Sequence, residues 1–445
     1  MKKCFVLAAG IGKRMLSEKN KVFHKIFGYS IIYHIIKNLS LLHDLEIYVI
    51  TNKEVDLYKN ELKDFKLNYV IQDIPLGTGD ALKRGLEFIN NEDFILVLPG
   101  DTPLIKMETI IKMFEKFNSE NLDILLLTTI SQDPTQYGRV IREDGKIAMI
   151  KEEKDLLSHE KDIKEINSGV YIFKGEVLKK FLPLLKNENA QKEFYLTDII
   201  NFAYKDEKKI DSLSCQFEEI IGINTRKDLM NAFKIMKDRK IEELIENGVT
   251  IFDPLTTYIS PYVTAEKDTE FYPGVYIEGE VHFGKGCKIG PFVKISAIDE
   301  VVIVEDNVVI GPFASIREGT KLMKNSKAKT FVEIKKSTIG ENSAVPHLSY
   351  IGDATIGKNV NIGAGTITCN YDGKKKHPTI IEDDVFIGSD SILVAKEGGL
   401  FIRKGSYTGA GSVITEDVPP NSLALGRARQ VNKENYFKRE KSESS

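Results

Sequence analysis

The run Leu7-Ala8-Ala9-Gly10-Ile11-Gly12-Lys13-Arg14-Met15, followed by Lys21-Val22, comes directly after a short apolar stretch. Glycines at 10 and 12 let the backbone approach a phosphate chain and turn amide hydrogens towards its oxygens. Arg14 and Lys21 add one fixed and one mobile positive charge where phosphoryl transfer accumulates negative charge. The pattern is not a P-loop, and Met15 stands where a dinucleotide fingerprint has its third glycine. Gly100-Asp101 closes a second apolar stretch, Phe94–Leu98, and a carboxylate there is placed as a divalent-cation ligand is. Gly77-Thr78-Gly79 reads as a helix start capped by Thr78, and helix starts also favour anions. Far along the chain stand Arg317, Lys335, His347, Tyr350, Asn361, Asn370 and Tyr371. Together they offer two cations, a potential base and several hydrogen-bonding groups. By themselves the ordinary readings take precedence: His347 as exposed polar surface, Asn224 as part of a polar turn, Glu152 or Glu153 within the solvated run Lys151–Asp155.

Such groups act only if the fold brings them together. Up to about residue 222, apolar runs at Cys4–Leu7, Glu46–Thr51, Asn68–Gln72, Phe94–Leu98 and Asp123–Thr129 read as buried strands. Helical patterns at Ser30–Leu41, Gly79–Asn90 and Pro103–Phe117 lie between them. This alternation predicts a doubly wound, Rossmann-like α/β sheet, whose ligands lie beyond the carboxyl ends of its strands. Thr225–Asn247 reads as one connecting helix, capped by Thr225 with Asp228 and ended by Gly248; Leu229, Phe233, Met236, Ile241, Leu244 and Ile245 form its apolar stripe.

Beyond residue 250 the helical pattern stops. Ile-Gly pairs recur at Ile289, Ile310, Ile339, Ile351, Ile356, Ile362 and Ile387, and aliphatic residues fall six apart in short trains. Six-residue steps of this kind build the flat faces of a parallel β-helix. Met323–Phe331, Cys369–Pro378 and Lys396–Leu400 interrupt the trains and read as insertions, which in solenoids become loops that often bind ligands. The expected organisation is residues 1–223, a linker helix at 224–248, and a β-helix with its tail at 249–445.

Composition narrows the class. The chain has 445 residues, 62 Lys+Arg against 65 Asp+Glu, and a net charge of −3, so no general attraction to nucleic acid or anionic membrane is expected. Four scattered cysteines show no metal-like spacing and suit a reducing compartment. No apolar run spans a bilayer, and no signal peptide is read at the amino terminus. Residues 432–445 form a charged tail expected to fray.

The motif L-A-A-G-x-G-x-R-M with K-V resembles the signature of sugar-phosphate nucleotidyltransferases. The hexapeptide repeats after it narrow the resemblance to the bifunctional N-acetylglucosamine-1-phosphate uridylyltransferase / glucosamine-1-phosphate acetyltransferase family, over Leu7 to about Arg427. The resemblance implies a left-handed parallel β-helix, UTP and acetyl-CoA as co-substrates, Mg²⁺, a cytoplasmic homotrimer, and a product used in peptidoglycan and lipopolysaccharide synthesis. It assigns nucleotide contacts to Leu7, Ala8, Ala9, Gly10, Lys21, Gln72, Gly77 and Thr78, charge stabilisation to Arg14, and the metal to Asp101 and Asn224. Sugar contacts fall on Gly138, Glu152 and Asn167. For acetyl transfer it implies His347 as general base and Arg317, Lys335, Tyr350 and Asn361 around the sugar phosphate. Ala364, Asn370, Tyr371, Ser389, Ala410 and Arg427 fall at acetyl-CoA. Two departures stand out: Pro99 replaces the family's usual polar residue before Gly-Asp, and Ala395–Leu400 breaks the repeat near Ser389 and Ala410. The alternative is a single-activity sugar-1-phosphate nucleotidyltransferase with a structural or regulatory β-helix.

Overall fold

The structure is a computed structural model and describes residues 1–10 and 12–436. The frayed-tail expectation therefore falls, from residue 437 onward, outside the described residues. The chain divides into two compact units, Met1–Met236 and Lys237–Ser445.

In the first unit the elements are β1 (Lys2–Leu7), α1 (Ile31–Leu39), β2 (Leu45–Thr51), α2 (Val55–Glu61), β3 (Asn68–Ile71), α3 (Thr78–Arg84), β4 (Phe94–Pro99), α4 (Met107–Ser119), β5 (Ile124–Ile130), β6 (Arg139–Glu143), β7 (Lys146–Lys151), β8 (Glu165–Lys174), α5 (Gly175–Phe181), α6 (Asp198–Lys205) and β9 (Ile210–Ser214), and α7 (Arg226–Glu246) begins in it and ends in the second. The sheet order is β9-β5-β8-β4-β1-β2-β3, with the hairpin β6–β7 attached to β8. β4, β1, β2 and β3 run parallel, as strand–helix alternation requires. Their side chains Phe5, Ile50, Ile95 and Val97 are fully buried, and the strands accordingly read as unbroken apolar runs. β8, which no expected element covered, lies antiparallel between β4 and β5, so the doubly wound sheet is mixed.

Two local readings change. The helix expected over Gly79–Asn90 ends at Arg84 with Gly85, a poor helix former, as its cap, and a 3₁₀ turn at Leu86–Phe88 follows; Gly85 packs against the Phe5 ring, where a Cβ would lie 2.4 Å from a ring carbon. Thr78 is not a cap either. Gly77 precedes the helix at φ +111°, and the Thr78 hydroxyl accepts the Leu196 N–H at 3.2 Å. The start of α7 follows its sequence pattern: Asp228 accepts from the Thr225 N–H at 2.8 Å while the Thr225 hydroxyl accepts from the Asp228 N–H at 3.2 Å. Gly248 ends the helix at φ +84°, but Ile245 faces solvent and drops out of the apolar stripe.

The second unit is a left-handed parallel β-helix. One face is a ten-stranded parallel ladder, and two long strands, Tyr276–Phe283 and Lys294–Val304, join the other faces. Ile289, Ile310, Ala328, Val345, Ile362 and Ile387 stack inward and are fully buried. Ala328 shows that Met323–Phe331 is a regular coil rather than an insertion: Lys327–Thr330 pairs in register on both sides. An alanine in the aliphatic position and lysines around it hid the repeat. The expected insertions Cys369–Pro378 and Lys396–Leu400 do leave the ladder, apart from their end residues Cys369 and Leu400, which pair in register, and each is closed by its own bridge, Tyr371 to Lys376 and Lys396 to Gly399. Buried corner hydroxyls satisfy turning backbone: the Ser343 hydroxyl donates to Gly357 O at 2.7 Å and accepts from the Val360 N–H at 2.8 Å. Among the described residues, no helix is long and apolar enough to cross a membrane.

Candidate active site

In the first unit a cavity of about 450 Å³ opens beyond the carboxyl ends of β1, β3 and β4. β1 delivers Leu7, Ala8, Ala9 and Gly10 to its wall, anchored by Ala8, whose carbonyl accepts the Tyr58 hydroxyl at 2.8 Å. Gly100 lets the ends of β1 and β4 meet: its N–H bonds Leu7 O at 2.9 Å, and a Cβ there would lie 2.9 Å from Ala8. Gln72, Gly77 and Thr78 form another wall, with Gln72 Nε2 donating to Gly77 O at 3.1 Å and to Asp80 at 2.8 Å. Gly77 admits no side chain, since a Cβ would sit 2.6 Å from Phe194 O.

The opposite wall comes from β8 and the β6–β7 hairpin. β8 shifts register between Asn167 and Tyr171, and Gly169 in that bulge has φ +78°. The bulge is held by Ser168, whose hydroxyl donates to Leu127 O at 2.6 Å. It turns Asn167 inward, where its amide donates to the Tyr171 hydroxyl at 2.7 Å. Gly138 and Glu152 line the same wall. Burial pushes the Glu152 carboxyl above the ordinary carboxylate range against the hydrogen bond from the Thr197 hydroxyl, and Asp155, Asp198 and Glu193 add to the shift. Glu153, its sequence neighbour, instead pairs with Arg139 Nη2 at 2.8 Å. That guanidinium is 2% exposed. The pair braces the residues that directly follow Gly138 and Glu152, and no sequence pattern had marked it.

Lys21, Asp101 and Asn224 form one cluster. The Lys21 ammonium donates to Asp101 and to Asn224 Oδ1, the latter at 3.1 Å. Ile223 N–H bonds Asp101 O at 2.9 Å and fixes the turn carrying Asn224 beside the strand end. A carboxylate and an amide oxygen thus converge on one cationic point, a hard-oxygen set that fits Mg²⁺ completed by phosphate oxygens and water. Among the described residues no group of three or more His, Cys, Asp or Glu is arranged to hold a metal, so this two-oxygen site would depend on its substrate. Arg14 stands outside the cavity lining, exposed, its guanidinium donating to Gln136 Oε1 at 3.4 Å. Pro99 lines the cavity where a polar side chain was anticipated.

In the second unit, parallel register sets Arg317 beside Lys335 on adjacent rungs, with Gly352 next; Glu333 and Tyr350 form the neighbouring column. Arg317 bonds Glu333 at 3.0 Å, which raises its pKa, and Lys335 bonds Glu318 at 2.9 Å. Gly352 keeps this face open, since a Cβ would lie 2.5 Å from the Tyr350 hydroxyl. The Cys369–Pro378 loop brings Asn370 against Asp353, and Lys376 reaches the same carboxylate at 3.6 Å. Lys376 is a third cation at this face; the run Lys374-Lys375-Lys376 was the signal available for it. Tyr371, on the same loop, is exposed, its hydroxyl donating to Gly373 O at 2.8 Å.

His347 lies exposed at the neighbouring corner, three residues before Tyr350. Backbone bonds from Gly365 N to His347 O, Asp390 N to Ala364 O and Gly411 N to Ser389 O set His347, Ala364, Ser389 and Ala410 at one corner on successive coils. The break at Lys396–Leu400 occurs at another corner and leaves this column in line. Asn361 is not brought to the Arg317–Lys335–Tyr350 face: it pairs with Ala344, three residues before His347, on the other ladder. Arg427 follows the last strand, exposed.

An α/β nucleotidyltransferase unit with a substrate-sized cavity, followed by a hexapeptide-repeat β-helix, defines the class. A model of the nucleotidyl transferase family matches residues 3–228, and one of the hexapeptide repeat of succinyl-transferase matches residues 378–416. Similar curated proteins include the "Bifunctional protein GlmU" of Thermotoga maritima, 47% identical over 99% of this chain and 100% of that protein. The proteins of the same name from Thermosipho africanus and Carboxydothermus hydrogenoformans are 46% and 43% identical, over 96% and 97% of this chain and 95% and 99% of theirs. The chain belongs to the GlmU family.

Proposed function

We propose that the chain makes UDP-N-acetylglucosamine in two steps at two sites. It is a bifunctional transferase: acetyl-CoA acetylates glucosamine 1-phosphate, and UTP then uridylylates the N-acetylglucosamine 1-phosphate formed. The observation that carries the reading is one cavity lined by Leu7–Gly10, Lys21, Asp101, Gly138, Glu152 and Asn167, which joins a phosphate loop to a polar sugar-sized wall.

In uridylyl transfer the sugar phosphate oxygen attacks the α-phosphorus in line, and the bond to pyrophosphate breaks. Gly10 and Gly12 offer backbone amides to the phosphates, Lys21 and Arg14 supply positive charge, and Glu152 and Asn167 orient the sugar hydroxyls; positioning does most of the work. Bound Mg²⁺, held by Asp101 and Asn224, would neutralise phosphate charge.

In acetyl transfer the amine nitrogen attacks the thioester carbonyl, His347 takes its proton, and the thiolate of CoA leaves. Arg317, Lys335 and Lys376 match a sugar phosphate, and the Ala364–Ser389–Ala410 column, small and in line with His347, suits the acyl carrier's chain.

What one protomer leaves unfinished supports a homotrimer. Asn361 lies away from Arg317, Lys335 and Tyr350, so a second copy would have to complete the site. An exposed ladder, with Phe292 stacked on Phe313 at 5.2 Å and Phe313 on Phe331 at 5.3 Å, runs along the corner that reaches Leu348 and offers that copy an apolar seam. UTP and acetyl-CoA are cytoplasmic metabolites, which supports a cytoplasmic location.

The test is sequential. Purified protein given acetyl-CoA and glucosamine 1-phosphate should release free thiol; later addition of UTP and Mg²⁺ should release pyrophosphate. Pyrophosphate from N-acetylglucosamine 1-phosphate without any acetyl-CoA-dependent thiol release would leave the single-activity alternative standing.

A further inference from the structure

The ammonium of Lys21 occupies the point where Asp101 and Asn224 converge. It bonds both, and the Lys21 and Asp101 side chains are only 16% and 14% exposed. The other nearby carboxylate, Asp228, is engaged by the N–H groups of Asn224 and Thr225 at 3.0 and 2.8 Å. Nearby cations are held elsewhere: Arg14 on Gln136, and Arg226 on His24 at 3.2 Å. The Lys21 stem runs along the phosphate loop, where a Cβ on Gly12 would lie 2.6 Å from Lys21 Cβ and 2.9 Å from its Cγ. Gly12 thus gives the stem its path from the loop to the two oxygen ligands.

We propose that Lys21 is a built-in counter-cation, which holds Asp101 and Asn224 together until nucleotide phosphates draw its ammonium away. The proposal rests on the reading of Asp101 and Asn224 as metal ligands. Two cations cannot share this half-buried point without strong repulsion. While Lys21 stays on Asp101, the carboxylate is neutralised and a divalent ion finds little charge to bind. When UTP arrives, its phosphates offer Lys21 a stronger partner along the same loop, and Asp101 is released. Metal therefore enters with the nucleotide and not before it.

The measurement is Mn²⁺ binding to the full-length protein, read from the free-ion electron paramagnetic resonance signal, with far-UV circular dichroism confirming that variants fold. Without nucleotide, Lys21→Met should bind Mn²⁺ at least tenfold more tightly than wild type. Wild type should gain comparable affinity only when UTP is present, after correction for Mn²⁺ held by free UTP. Equal or weaker nucleotide-free binding by Lys21→Met overturns the counter-cation. Asp101→Asn separates the two ideas: if it leaves Mn²⁺ binding in the UTP complex unchanged, the metal-ligand reading fails. If it weakens that binding while Lys21→Met tightens nothing, only the counter-cation fails.

Discussion

Glu153→Gln removes the charge facing Arg139 while keeping the shape of the side chain. Arg139 is 2% exposed and its partner carboxylate 33%, so the pair lies between two known limits. Exposed pairs contribute roughly 0.2–1 kcal/mol, and breaking a fully buried pair costs about 3–5 kcal/mol. An intermediate cost of about 2 kcal/mol lowers the melting temperature of a unit this size by about 4–8 °C. The site should respond as well, because Gly138 and Glu152 each directly precede a member of the pair. A loosened hairpin raises KM for N-acetylglucosamine 1-phosphate by up to about tenfold, or about 1.4 kcal/mol, and leaves KM for UTP unchanged. Heating the protein in steps and assaying both activities gives the readout, with acetyl transfer as internal control. Uridylyl transfer should fail about 4–8 °C earlier than in wild type, and acetyl transfer at the same temperature as before. An unaltered sugar KM together with unaltered heat inactivation would refute the assignment of Arg139 and Glu153 as the brace of the sugar wall.

His347→Ala should slow acetyl transfer by about 10²–10⁴-fold and spare uridylyl transfer, since the exposed ring leaves no cavity behind; steady-state rates of both reactions check it. Burial holds the Glu152 carboxyl above its ordinary value. As an acid with a raised folded pKa, it withdraws stability as pH rises from the ordinary carboxylate range through that value. Its hydroxyl-accepting form is lost as pH falls through the same window, so sugar KM should climb there in wild type. Glu152→Gln should flatten that limb of the pH profile. Phe313, at φ +53°, sits in the left-handed region, which asparagine tolerates. Phe313→Asn should therefore shift the assembly towards monomer in sedimentation experiments and make acetyl transfer, but not uridylyl transfer, depend on protein concentration.

Much of this was legible in the chain because the signals were periodic or local. Apolar runs marked β1, β2, β3, β4 and β5, and Ile-Gly spacing marked the coil. The capping pair Thr225 and Asp228 marked the start of α7. The mixed sheet was not legible, because β8 carries its bulge at Ser168-Gly169 and reads there as a polar turn. The coil at Met323–Phe331 was hidden by Ala328, which fills the inward position with too little apolar weight to register in a pattern. At the sites, contiguous motifs supplied the loop residues and Asp101. Arg139–Glu153, Glu318 on Lys335 and Lys376 on Asp353 were invisible, since each joins residues that only the folded register brings together. Asn361 was placed by resemblance alone, and one protomer leaves it apart from the groups it was grouped with.

Two separate chemistries on one chain require a free intermediate between them. Asp101→Ala and His347→Ala should each fail to convert glucosamine 1-phosphate, acetyl-CoA and UTP into UDP-N-acetylglucosamine, for opposite reasons. Mixing the two purified variants should restore the product after a lag, as N-acetylglucosamine 1-phosphate made by the first diffuses to the second. A mixture as inactive as its components, with both variants folded, would contradict the account.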